Sequence, residues 1–272
     1  MRTLERHAQR VGERIQADWD QKQALLEQKK SPPSEVRPSA LYASMDGVMI
    51  FRDGEWHEVK LGCAYQRKGK EVMARYYATT DCSAEFGKKL WTLANTSGAD
   101  RCGKLIVVAD GSPWIWQEAG KYFPKSIQIL DFYHAADHIW DVAHARFGEG
   151  TEEANSWMKQ QKEWLMQDKV TQVMANIQAW SPTKDAHRDI RRRVLGYLTT
   201  HQSRMLYQTF EKQGYHIGSG VIEAGCKNVV QARLKGVGMR WKKRGAEAML
   251  HICAHGRTAG NQGFLQYAGT RN

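Results

Sequence analysis

Asp46 stands inside the apolar run from Ala43 to Phe51, where a carboxylate is out of keeping with its neighbours. Burying an unpaired carboxylate is costly or drives its pKa upward, so a strand interior keeps one mainly where a cation or a fixed donor is supplied. A carboxylate at a strand end near solvent is the plainer alternative. Asp110 closes a second apolar run, Leu105 to Asp110, and Asp131 closes a shorter one that begins at Ser126. In open α/β sheets ligands gather beyond the carboxyl ends of strands. If the strands of Asp46 and Asp110 are neighbours, the two like charges repel unless a divalent cation lies between them. The ligands on offer are hard oxygens, which select magnesium or manganese.

Glu223, near the start of a helix opened by Gly218-Ser219-Gly220, offers a third carboxylate, and the flanking glycines allow that helix to approach the sheet closely. Lys227, one turn later, could reach a phosphate. Stabilisation of the helix dipole is the alternative account of an acid in a first turn. His134 and His138 are four apart on a helical stretch, which is half of a zinc site. No glutamate follows His134 and no third ligand stands out, which argues against zinc.

Charge placement points to a polyanion. The net charge is +11, and residues 181–272 hold 16 Lys/Arg against 5 Asp/Glu, so the last third carries the whole excess. Nucleic acid is the usual partner of such a face, and a solvated basic surface is the alternative. Arg191, Arg192 and Arg193, with the cluster Arg233, Lys235, Arg240, Lys242, Lys243 and Arg244, are the expected phosphate contacts. Trp241 among them could stack on an unpaired base.

These residues need elements to position them. Leu4, Ala8, Val11, Ile15, Trp19 and Leu26 give residues 1–30 a helical apolar face, ended by Ser31-Pro32-Pro33-Ser34 and Pro38. That face requires a partner: the body of the protein, a second copy, or a preceding domain. Strands over 43–51 and 55–65 flank the hairpin signal Asp53-Gly54, and a third covers 72–80. Ser83 can cap a helix through Thr96 that Gly98 stops. Strands 105–110 and 126–130 then alternate with helices, giving β-β-β-α-β-α-β, an α/β domain with a mixed sheet. Residues 148–214 read as an all-helical insertion, helices follow over 221–234 and 242–253, and a loosely ordered tail is expected after Gly256.

With 272 residues, 42% hydrophobic, the chain can build a substantial core. It contains no transmembrane run and no signal-peptide pattern, so a cytoplasmic location is the default expectation, with no membrane partner. The five cysteines are scattered without a Cys-x-x-Cys pair and read as reduced thiols.

Four segments together resemble a known family: Met45-Asp46-Gly47; Val108 to Trp116; Asp131-Phe132-Tyr133-His134-Ala135; and Ile217 to Lys227. They are similar, in this order, to the catalytic part of bacterial insertion-sequence transposases of the ISKra type, relatives of the eukaryotic Mutator-like transposases. The resemblance covers residues 3–258. It implies an RNase H-like fold of the DDE superfamily in which Asp46, Asp110 and Glu223 bind two magnesium (or manganese) ions, with a helical insertion before the last acid. It also implies two-metal cleavage and joining of DNA strands, double-stranded element ends and target DNA as partners, a homodimer or larger assembly on DNA, and a nucleoid-associated bacterial protein. Asp131 and His134 match the (Cys/Asp)-x-x-His motif of the Mutator-like relatives, which implies an accessory place beside the active site; a helix N-cap aspartate followed by a packed histidine is the alternative.

The organisation expected is an N-terminal helix and linker (1–38), the first part of the catalytic core (39–147), the insertion (148–216), core helices carrying Glu223 (217–256) and a flexible tail (257–272). Family members usually carry a further N-terminal region that recognises element ends. The resemblance therefore implies a chain that lacks it. Two other functions stay open at this point: a non-catalytic DNA-binding product of a decayed element, and an RNase H-like nuclease.

Overall fold

A computed structural model describes residues 2–30 and 35–268. The expected linker segment 31–34 lies outside the described residues. Helix α1 (Arg2–Glu27) is followed by three long strands, β1 (Ala40–Arg52), β2 (Glu55–Lys68) and β3 (Glu71–Thr79). Helix α2 (Ser83–Thr96), β4 (Lys104–Ala109), α3 (Pro113–Tyr122) and β5 (Ile127–Leu130) complete a five-stranded mixed sheet of order β3-β2-β1-β4-β5. The fold is α/β, and the order of elements is the one expected.

The chain divides into two compact units. The first comprises Met1–Val107, Pro113–Ile127 and Gly220–Asn272, and the second Val108–Ser112 and Gln128–Ser219.

In the first unit β1 and β2 pair antiparallel, with Arg52 opposite Glu55. That register leaves Asp53 (φ 54°) and Gly54 (φ 96°) as a two-residue turn, whose left-handed angles suit the twist of the flanking strands. β2 pairs antiparallel with β3, and β1 pairs in parallel with β4, Ala43 lying opposite Val107. β2 is buried without a break from Val59 to Tyr65, so helices cover both of its faces. On one of them α2 presents Phe86, Leu90, Leu93 and Ala94, all buried. A Cβ at Gly62 would meet Leu90 at 2.8 Å, so the glycine lets α2 lie against the strand. Ser83 is the first helical residue and Cys82 occupies the capping position, one residue earlier than expected.

The apolar face of α1 settles on the last helix, α11 (Lys243–Ala268), and on α2. Val11, Ile15 and Trp19 are buried there, whereas Leu4, expected on the same face, is exposed. α11 continues to Ala268, past the expected end at Cys253, so residues 257–268 extend a helix where a tail was expected. Residues 269–272 lie outside the described residues.

The second unit is helical apart from its short strand segments: α4 (Phe132–Phe147), α5 (Glu152–Leu165), α6 (Val170–Ala179), α7 (Asp185–His201) and α8 (Tyr207–Lys212). No strand occurs among the described residues between 148 and 216, as the sequence predicts. Ile139, Val142, Leu165, Val173, Ile177, Val194 and Leu198 form its core. Among the described residues no helix is long and apolar enough to cross a membrane.

Candidate functional site

In the first unit Asp46 lies mid-strand and half-buried, opposite Leu61. Its Oδ1 accepts the Gly47 N–H at 2.6 Å and its Oδ2 accepts the Cys226 thiol at 3.2 Å. Cys226 arrives on the chain that carries Glu223. Helix α9 (Gly220–Gly225) packs on β1 and β2, then passes into a π-helical segment (Cys226–Gln231) and a last turn, α10 (Ala232–Leu234). The sequence predicts one continuous helix over 221–234, and the wider π turn interrupts it at the residues that face Asp46. Such turns recur at functional sites.

Of the glycines around Glu223, Gly225 makes the close approach, since a Cβ there would meet Tyr76 at 2.7 Å and Leu61 at 3.1 Å. A Cβ at Gly220 would meet nothing and one at Gly218 would meet the Tyr133 ring at 3.1 Å, so the close approach to the sheet expected of the flanking glycines is made by Gly225. Burial raises the Cys226 thiol pKa well above its ordinary range, and the charges of Asp46 and Glu223 add to the rise. The structure therefore brings Cys226 against Asp46, with Glu223 close enough for its charge to act on the thiol. Lys227 lies in the π segment and is exposed.

Two further charged side chains flank this place. Glu58 folds over Gly47 and fills the space a Cβ would take, and its Oε2 pairs with Lys60 Nζ at 2.9 Å. Lys60 is buried and lies 5.7 Å from the centre of the Trp114 ring.

Asp110 and Asp131 belong to the second unit. Asp110 follows β4 and its Oδ1 accepts the Ser112 N–H at 2.8 Å, a local turn that starts the chain toward α3. Asp131 is fully buried and caps α4, its Oδ1 accepting the His134 backbone N–H at 2.8 Å. Its Oδ2 accepts the Ser219 N–H, and the Phe132 N–H donates to the Ile217 carbonyl at 2.9 Å. The carboxylate thus fixes both the start of α4 and the backbone at Ser219.

Helix α7 supplies residues that the sequence does not single out. Tyr197 covers Gly111, where any Cβ would collide with its ring, and its hydroxyl is buried. Burial raises the Tyr197 phenol pKa well above its ordinary range, and the charges of Asp110 and Asp131 push it further. His201 donates to the Gly111 backbone, and burial lowers its pKa. His138 lies against Tyr197 with ring centres 3.9 Å apart. Spacing along the chain carries no sign of this, because α7 is far from Asp110 in sequence and its tyrosine sits in an ordinary helical pattern.

Among the described residues no three His, Cys, Asp or Glu side chains form a group that could hold a metal ion.

The model of the family described as "Uncharacterised protein family (UPF0236)" matches residues 26–267, most of the chain. The chain belongs to this family. No curated protein is similar enough to match it.

In this UPF0236 chain the expected phosphate contacts differ in their surroundings. Arg191 donates to the Trp180 carbonyl at 2.6 Å, Arg192 pairs with Asp189 at 3.0 Å and Arg193 with Asp141 at 2.8 Å. Lys242 lies 3.5 Å from Asp53, and Arg244 pairs with Glu13 at 2.6 Å. Exposed pairs of this kind contribute little and exchange readily for other anions. Arg233, Lys235, Arg240 and Lys243 are exposed, with Arg240 over the Phe51 ring. Trp241 ties this loop to the end of β1: its N–H donates to the Phe51 carbonyl at 3.2 Å, and its indole donates to the Leu234 carbonyl at 3.1 Å.

Proposed function

We propose that this chain is the catalytic part of a DDE transposase, with an RNase H-like core that cuts and joins DNA strands at the ends of an insertion sequence. The observation that carries the reading is the placement of Glu223 and Cys226 on a helix packed against β1, beside the mid-strand carboxylate of Asp46. An acid in the middle of a strand and an acid on a helix distant in sequence have no reason to converge for stability alone, since like charges repel. The β-β-β-α-β-α-β order supports an RNase H-like core.

The donor chemistry suits hard divalent cations. Asp46 and Glu223 supply carboxylate oxygens within one unit, and the proton on Cys226 answers part of their charge. Asp46 and Glu223 would hold magnesium or manganese, with Asp110 the further ligand that the resemblance implies; when bound, the ion supplies the polarisation of the phosphodiester and of the attacking oxygen. The remaining residues bind and orient. Lys227, exposed one residue beyond Cys226, offers a cation to a phosphate, and the basic residues 233–244 track the DNA backbone. A cytoplasmic, nucleoid-associated protein acting on double-stranded DNA as a homodimer or larger assembly follows from this reading.

The test is incubation of the purified chain with magnesium and labelled terminal-repeat DNA taken from either side of its gene. Asp46→Asn, Asp110→Asn and Glu223→Gln should each abolish cleavage and joining and leave DNA binding largely intact. Equal activity in wild type and Asp110→Asn sinks the reading. Cleavage without joining would assign the chain instead to the RNase H-like nucleases.

A further inference from the structure

Between Glu223 and Glu247 the chain holds seven lysines and arginines and no acid, and all seven are exposed. In the middle of this stretch, in the loop that joins α10 to α11 within the first unit, the tip is apolar. The Met239 N–H donates to the Gly236 carbonyl at 3.1 Å and closes a four-residue turn, whose third residue, Gly238, takes the left-handed angle (φ 75°) such a turn needs. Val237 stands at the apex with its side chain fully exposed. Met239 is 42% exposed and lies where a Cβ on Gly236 would stand.

The base of the loop is tied down. The Trp241 N–H donates to the Phe51 carbonyl at 3.2 Å, its carbonyl accepts the Asp53 N–H at 2.9 Å, and its indole donates to the Leu234 carbonyl at 3.1 Å. Both ends of the loop are therefore fixed to each other and to the β1–β2 hairpin, which keeps Val237 from folding back onto the protein and out of water. The hairpin extends the apolar surface: Arg240 lies over the Phe51 ring, and Phe51 packs edge-on against the exposed Trp56.

An apolar tip set among cations complements a partner that is anionic outside and apolar inside. A nucleic-acid duplex and an anionic bilayer both have that build, and magnitude separates them. A single myristoyl chain gives only marginal membrane binding, and Val237 and Met239 together carry less hydrocarbon than that. One or two apolar side chains are enough to part a base step. We propose that the Gly236–Met239 turn is a wedge that inserts Val237 and Met239 between neighbouring base pairs of duplex DNA, with Lys235 and Arg240 on the flanking phosphates, and so kinks the duplex at this face. The proposal rests on the reading that the chain handles double-stranded DNA and is independent of the chemistry at Asp46.

The test is titration of the full chain, without metal, into terminal-repeat duplexes carrying 2-aminopurine at successive positions. Its fluorescence rises when the base is unstacked, and the anisotropy of an end label reports binding separately. A rise is expected at one or two adjacent positions. Val237→Ala combined with Met239→Ala should abolish the rise and weaken binding by about tenfold at most, because parting a step offsets much of what burying two side chains gives. Both positions are on an exposed turn, and Val237→Leu keeps the apolar bulk and should keep the rise. Binding with no rise at any position, or a rise unchanged in the double variant, would overturn the wedge and leave the transposase reading standing. Failure to bind the duplex at all overturns both. Co-sedimentation with phosphatidylserine–phosphatidylcholine vesicles that the double variant loses, with no rise on DNA, assigns the tip to a membrane surface and also overturns the proposal.

Discussion

The thiol of Cys226 donates to Oδ2 of Asp46 across 3.2 Å, so a buried sulfur from the α9 segment lies against the one carboxylate in the middle of β1. Burial holds this thiol protonated at neutral pH, and the charges of Asp46 and, more weakly, Glu223 oppose ionisation further. Cys226 should therefore resist alkylation in the folded chain at pH 8, as should the fully buried Cys63. Exposed Cys82 should react first. Mass spectrometry after brief iodoacetamide treatment checks this, and early labelling of Cys226 would contradict the geometry.

Asp131 joins two parts of the second unit through backbone N–H groups of His134 and Ser219. Asp131→Ala removes a helix cap and leaves a buried donor at Ser219, which together should cost about 2 kcal/mol or more. Asp131→Asn keeps an oxygen for the cap and should cost less. Urea denaturation curves of the two variants give the order, and equal losses would show that the cap hydrogen bond to His134 contributes nothing.

Three histidines, His138, His201 and His251, have pKa values lowered chiefly by burial. In the unfolded chain each titrates near about 6.5. Above that pH neither state binds the proton and stability is complete. As pH falls from about 6.5 toward the lower folded values, the unfolded state takes up protons that the folded state refuses, and stability declines. The urea midpoint should hold steady from pH 8 to about 6.5 and then fall by pH 5. A midpoint unchanged across that range would show that these rings are not buried neutral.

DNA binding, if it uses the exposed cations of 233–244, must be steeply salt-dependent. Replacing Lys235, Arg240 and Lys243 by alanine should lower the slope of log K against log salt by about one for each phosphate no longer neutralised. Arg191→Ala should change the slope least among the arginines, because its guanidinium is held by the Trp180 carbonyl. Fluorescence anisotropy on a labelled duplex at several salt concentrations separates the two outcomes.

Much of the frame was legible along the chain. Asp53-Gly54 specifies a hairpin because its angles are left-handed, and the apolar run ending at Asp110 specifies a buried parallel strand. The boundaries of α2 and the strandless stretch 148–216 follow from local periodicity. The far end of α11 was less legible, since glycines after Gly256 weaken a helix without forbidding it.

What the sequence determined by itself is the set of chemical groups and the elements that bear them: the carboxylates Asp46, Asp110 and Glu223, and a basic last third. Local hydrogen bonding and apolar periodicity act over a few residues, so they can be read from neighbours. Tertiary structure alone decided that Cys226 brings a proton to the space beside Asp46, that Gly225 rather than Gly220 seats the helix, and that Tyr197 covers Gly111. Those relationships join residues far apart in the chain. They depend on which surfaces exclude water together, which no local pattern records.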